Sequence, residues 1–195
     1  MVAFGSCYGL SKGKTVTHEK IEIVDGKKEK MLYSENDNLR KFSFGALVGG
    51  MGLTMSPLTF MCMSIDPMIL PKALVATIGV SAGTIWWSST RPIGSLIKWQ
   101  APLMGCLTGF VGMGLLSLGS GLIFGQNDFL HFWHTFDTYT GIPLFAAMMA
   151  YDIHVATLEY KNRNPDHLGL SASLYLDTMN ILIRIMEILA KMKQN

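Results

Sequence analysis

Charge is scarce in this sequence. Asp, Glu, Lys and Arg make up 15% of 195 residues, against 49% hydrophobic side chains. A water-soluble domain carries roughly a quarter charged residues, and the mean hydropathy here is positive, at +0.31. The excess of apolar side chains calls for a bilayer as solvent. The 16 basic and 14 acidic residues nearly cancel, leaving +2. Much of the basic charge sits between residues 12 and 41, with no groove-like cluster, so nucleic acid is excluded as a partner. Cysteine is equally sparse. Cys7, Cys62 and Cys106 are an odd number without metal-ligand spacing, and two lie in apolar stretches. They read as small buried hydrophobes, which excludes a disulfide framework and gives no metal site. The segment Met1 to Lys41 lacks the apolar core and cleavage site of a secretory signal, so no cleavable address is expected. Nothing points to a cofactor or to catalysis, and the chain is read as not an enzyme.

What is present is a series of long uncharged stretches behind a polar tail. Residues 1–42 form an extramembrane tail. Within it, Lys20-Ile21-Glu22-Ile23-Val24, then Asp25-Gly26, then Lys27 to Tyr33 alternate around a dipeptide that favours a two-residue turn, predicting a β-hairpin. Residues 43–195 make an all-α transmembrane bundle. Five helices are predicted, at about 43–63, 72–90, 101–125, 139–158 and 168–191. Each is long enough to cross a hydrocarbon core of about 30 Å at about 1.5 Å per residue. Pro71 is read as lying ahead of the second helix, and 126–137 as a polar, aromatic connection. With five crossings, Arg40, Lys41, Arg91, Lys98, Lys161 and Arg163 share one side, against Lys72, Lys191 and Lys193 on the other. The positive-inside rule then puts the N terminus on the matrix or cytoplasmic face.

Three patterns bear on function. Gly45, Gly49 and Gly52 in the first helix, and Gly105, Gly109 and Gly112 in the third, have the spacing that lets helix backbones approach closely in lipid. A phosphate-cradling loop would need a strand-to-helix turn that these segments lack. His131 and His134 could place two imidazoles on one helical face, but no cysteine or carboxylate completes a metal set, and an interfacial aromatic segment is the better reading. The last helix is the most informative stretch. Ser173, Asp177, Asn180, Arg184, Glu187 and Lys191 recur at intervals of four and three, forming one polar stripe on an otherwise Leu, Ile and Met helix. A charge near the bilayer midplane costs at least about 2.5 to 3.5 kcal/mol on insertion scales, so Asp177 is expected to face the bundle interior. Asp152 is the only other carboxyl read as lying inside a span. The two form a candidate coupled pair.

The run Tyr151-Asp152, Pro165-Asp166-His167 and Leu174-Tyr175-Leu176-Asp177-Thr178-Met179-Asn180-Ile181-Leu182-Ile183-Arg184 resembles the C-terminal signature of the transmembrane Bax-inhibitor-motif family. Arg40-Lys41, Ser56-Pro57-Leu58-Thr59, Ala101-Pro102-Leu103 and Ser117-Leu118-Gly119-Ser120 resemble its mitochondrial, growth-hormone-inducible branch. The similarity covers roughly residues 39 to 193. It implies a bundle in which Asp152 and Asp177 match a proton-sharing pair gating a calcium and proton pathway. Where the family pattern has Tyr-Asp-Thr-Gln, this chain has Tyr151-Asp152-Ile153-His154, and the family's first two helices find no counterpart. The resemblance thus implies a mitochondrial inner-membrane protein with the bilayer as its first partner, and two functions. The favoured one is a shortened family member serving as a structural subunit of a larger membrane complex, such as a respiratory-chain or ATP synthase assembly. The alternative is a pH-gated calcium or proton channel or exchanger using the aspartate pair.

Overall fold

The computed structural model describes residues 15–24, 27–36, 38–124, 128–161 and 166–194. Strands β1 (Thr15–Val24) and β2 (Lys27–Asn36) pair antiparallel, with Val24 opposite Lys27. The pairing leaves two residues for the loop, Asp25 and Gly26, which lie outside the described residues. Five helices follow: α1 (Asn38–Ile65), α2 (Ile69–Ser89), α3 (Gln100–Phe124), α4 (Asp128–Lys161) and α5 (His167–Gln194). A short 3-10 turn, Ser95–Trp99, joins α2 to α3 and is entered through Gly94, whose φ of 84° is one that L side chains rarely adopt.

Three boundaries differ from the sequence-based expectation, each for a physical reason. The first helix starts at Asn38 rather than near 43, because Arg40 is buried there against Asp166 instead of marking a solvated tail. The second starts at Ile69, ahead of Pro71. Proline is tolerated in a first helical turn, where the amide it lacks would have no intrahelical acceptor. The fourth takes in most of the presumed connection and begins at Asp128. Its aromatic residues pack instead of forming a loop, with Trp133 meeting Phe110 of α3 edge-on at 5.4 Å.

Among the described residues, four helical segments are long and apolar enough to cross a membrane: Asn38–Ile65, Ile69–Ser89, Ser95–Ile123 and Leu130–Lys161. Their outward faces carry large apolar side chains, with Leu53 and Phe60 each 78% exposed and Leu122 89% exposed. Water solvates such a surface poorly and hydrocarbon solvates it well. The chain is a multi-pass membrane protein. Helix α5 falls outside this group because its polar stripe lowers its hydropathy, and its position in the bundle suits that composition. It packs against α1, α2 and α4. Its Ile181, Leu182, Ile185 and Met186 form one core with Met55 and Cys62 of α1, Ile69 and Ala73 of α2, and Phe145 and Met149 of α4. A smaller cluster joins Leu47 to Ala172 near the α5 N terminus.

Candidate functional site

Polar contacts run the length of α5 as successive layers. At its N-terminal end, Asp166 caps the helix: its Oδ1 accepts from the Gly169 amide at 3.2 Å, and its backbone carbonyl from Leu170. A Cβ on Gly169 would stand 2.7 Å from the Asp166 carboxylate, so the cap needs the bare backbone. Arg40, 4% exposed, closes this layer by donating to Asp166 Oδ2 at 2.5 Å.

One turn further, Ser173 donates to Asp152 Oδ2. Asp152 and Asp177 are 8% and 5% exposed, and both lie in the bundle interior. The α5 residue hydrogen-bonded to Asp152 is Ser173, one helical turn before Asp177. Asp177 Oδ2 is buried with no hydrogen-bond partner.

The third layer is an ion-pair network. Arg184 Nη1 donates to Asp137 Oδ2 and lies 3.9 Å from Glu187 Oε2. Thr138, fully buried, donates to Glu187 at 3.0 Å and receives Lys191 at 3.4 Å. Gly141 makes room for the guanidinium: an added Cβ would meet Arg184 Nε at 2.9 Å. Asn180, between the two layers, donates to the Leu176 carbonyl of its own helix. The last layer lies outside the apolar spans, where Asp66 joins the α1–α2 turn to the end of α5. The Met68 amide at 2.9 Å and Lys193 at 3.2 Å hold its carboxyl below the usual carboxylate range.

Between α3, α4 and α5 these layers open into a cavity of about 490 Å³. Asp137, Ser173, Asp177, Asn180 and Arg184 supply its polar wall, while Phe110, Trp133 and Phe145 supply an apolar one. Asp152 and Glu187 stay behind Ser173 and Thr138, outside the lining. A buried carboxylate with one free oxygen can take or give up a proton in such a space. The set is less suited to a resident divalent cation. Among the described residues no group of three His, Cys, Asp or Glu could hold a metal, and the Arg184 charge shares the cavity. His131 and His134 are both exposed on α4, and His134 meets Thr138 at 3.3 Å.

The expected glycines behave differently from the stripe. A Cβ added at Gly45, Gly49, Gly52, Gly105, Gly109 or Gly112 would meet nothing within 4 Å among the described residues. Within this chain they do not mark close helix approaches; α3 packs on α4 and the 3-10 turn without using them. Sequence reasoning passed over Asp137, Thr138 and Gly141, having assigned the first to a connection, and it treated Arg40 as part of a basic flank.

No curated protein and no solved structure matches the chain. The family model described as inhibitor of apoptosis-promoting Bax1 matches residues 25–195, a range that takes in all five helices, and the chain belongs to that family.

Proposed function

We propose that this protein passes protons, or a cation exchanged for them, through the bundle, with Asp177 as the group that takes and releases the proton. The observation that carries this reading is the Asp177 carboxyl: 5% exposed, one oxygen without a partner, on the polar wall of a 490 Å³ cavity. A carboxyl that served only to hold helices together would be expected to have both oxygens satisfied. Ser173 keeps Asp152 one turn away as the second member of the pair. The Asp137–Arg184 pair balances charge, so that loading a proton on Asp177 changes the net charge of the cavity. Calcium as the exchanged ion rests on the family resemblance, and no calcium cage supports it. The side bearing Arg40, Lys41, Arg91, Lys98 and Lys161 is read as the matrix face of the mitochondrial inner membrane.

The test is flux through the purified chain in liposomes loaded with a pH-sensitive or a calcium-sensitive dye. Dissipation of a pH gradient that is lost in Asp177→Asn supports the reading. Equal dissipation by wild type and Asp177→Asn, or none by either, overturns it.

A second reading is favoured by the open glycine faces of α1 and α3: a structural subunit of a larger inner-membrane complex, with partner helices on Gly45, Gly49, Gly105 and Gly109. It predicts that Gly49→Leu and Gly109→Leu abolish comigration with other chains after gentle extraction while leaving the isolated fold intact. Unchanged comigration counts against it.

A further inference from the structure

Two cavities meet where α2 ends. One, of about 480 Å³, is walled mainly by Trp87, Pro92, Leu96, Trp99 and Leu103. The other, of about 230 Å³, is walled by Ser88, Ser89, His154 and Thr157. Arg91 lines both. The first is an apolar slot and the second a smaller chamber in which these polar side chains face Ile93 and Ile153. Among the described residues no carboxylate lines either one.

The donors available in the smaller chamber are few and specific. Ser88 donates to the Ala150 carbonyl at 3.1 Å, Ser89 to Ile85 at 2.8 Å, and Thr157 to Ile153 at 2.8 Å. The hydroxyl protons are therefore engaged, and Arg91 and His154 remain. The Arg91 guanidinium sits 4.9 Å over the Trp87 ring, which fixes its position by cation–π attraction. His154 is 3% exposed, and its Nε2 has no hydrogen-bond partner. A buried ring nitrogen left unpaired is costly, and in the tautomer with the proton on Nε2 an acceptor brought into the chamber removes that cost. A fixed cation, a buried nitrogen and no competing acid select an anion. The apolar slot on the other side of Arg91 selects a hydrocarbon chain attached to it.

The place agrees with the chemistry. Trp86, Trp87 and Trp99 gather at this end of the spans, where indoles lie at the headgroup level of a bilayer, and Lys98 adds positive charge beside them. We propose that this juncture binds an anionic glycerophospholipid, its phosphate held between Arg91 and His154 and one acyl chain lying in the slot formed by Trp87, Leu96, Trp99 and Leu103. Lipid bound here would brace the ends of α2 and α4 against the α2–α3 turn. The proposal is independent of the ion-pathway reading, because none of these residues lines the Asp177 cavity.

The experiment is native mass spectrometry of the full chain in detergent, with phosphatidylglycerol, phosphatidylcholine of the same acyl chains, or inorganic phosphate added. Wild type is expected to retain one phosphatidylglycerol in preference to phosphatidylcholine. Arg91→Gln, at an exposed position that leaves the core untouched, should weaken retention about tenfold or more, the worth of a hydrogen bond to a charged group. His154→Phe should act in the same direction, and Leu103→Trp should block the slot while leaving both donors in place. Equal retention of the two lipids, or undiminished retention by Arg91→Gln or Leu103→Trp, overturns the proposal. Displacement of the lipid by inorganic phosphate at equal concentration also overturns it, since the slot would then contribute nothing.

Discussion

Replacing Asp137 with Asn removes the charge partner of Arg184 while keeping the shape of the side chain. Arg184 and Asp137 side chains are 15% and 20% exposed, so neither recovers full hydration when the other is lost. What remains for Arg184 is Glu187 at 3.9 Å, a long contact already shared with Thr138. Breaking a buried ion pair from one side costs about 3 to 5 kcal/mol, and the residual exposure and the Glu187 contact bring this one to or just below the bottom of that range, at about 2 to 3 kcal/mol. That is roughly a 30- to 150-fold change in the unfolding equilibrium. Arg184→Met should cost a similar amount by stranding Asp137. The double variant removes both members of the pair and leaves Glu187 with its Thr138 hydrogen bond; it should be no less stable than either single variant, giving a coupling of about 2 to 3 kcal/mol. The assay is SDS titration of the protein in mixed micelles, followed by tryptophan fluorescence, to which the buried, cavity-lining Trp133 contributes. Single-variant losses that simply add in the double variant would refute the reasoning, because the two side chains would then be independent.

Two smaller predictions use neighbouring features. Gly141→Ala gains about 1 kcal/mol of helix propensity, yet its Cβ would press Arg184 Nε at 2.9 Å; it should destabilise the wild type and stabilise an Arg184→Ala background, a reversal read in the same titration. Asp66 titrates outside the spans with its carboxyl held low by the Met68 amide and Lys193, so its contribution is complete above the ordinary carboxylate pKa of about 3.9 and is lost as pH falls below it through the depressed folded-state value. Asp66→Asn should flatten that acid limb of the stability profile, and an unchanged limb would remove Asp66 from the account.

The helical bundle was legible because uncharged runs of some twenty residues have few other solutions, and the α5 stripe because its intervals of three and four admit one face. The partners of the stripe were not legible, since they depend on the register between α4 and α5. The antiparallel register that sets Asp152 beside Ser173 also sets Gly141 beside Arg184 and Thr138 beside Glu187. Asp137 could have been found by sliding α4 along the stripe until every charge met a partner. It was hidden by reading residues 126–137 as a connection, when Trp133 and Phe136 pack against Phe110 of α3. Glycine spacing reports a capacity for close approach, which α1 and α3 leave unused among the described residues. Arg40 shows the same limit for charge, because a basic residue before an apolar run looks like an interfacial anchor whether or not an acid such as Asp166, far along the chain at the start of α5, waits beside it.

The central claim is that Asp177 stands in a hydrated cavity inside the bundle. In a background with Cys7, Cys62 and Cys106 replaced by Ala, Asn180→Cys and Asp177→Cys place a thiol on the cavity wall, while Ile181→Cys, at a fully buried core position, serves as the control. Charged, membrane-impermeant methanethiosulfonate reagents react only with thiols in contact with water. The account predicts rapid labelling of Asn180→Cys and Asp177→Cys in intact proteoliposomes and none of Ile181→Cys; protection of all three alike would mean that the cavity is dry and that Asp177 has no route to water.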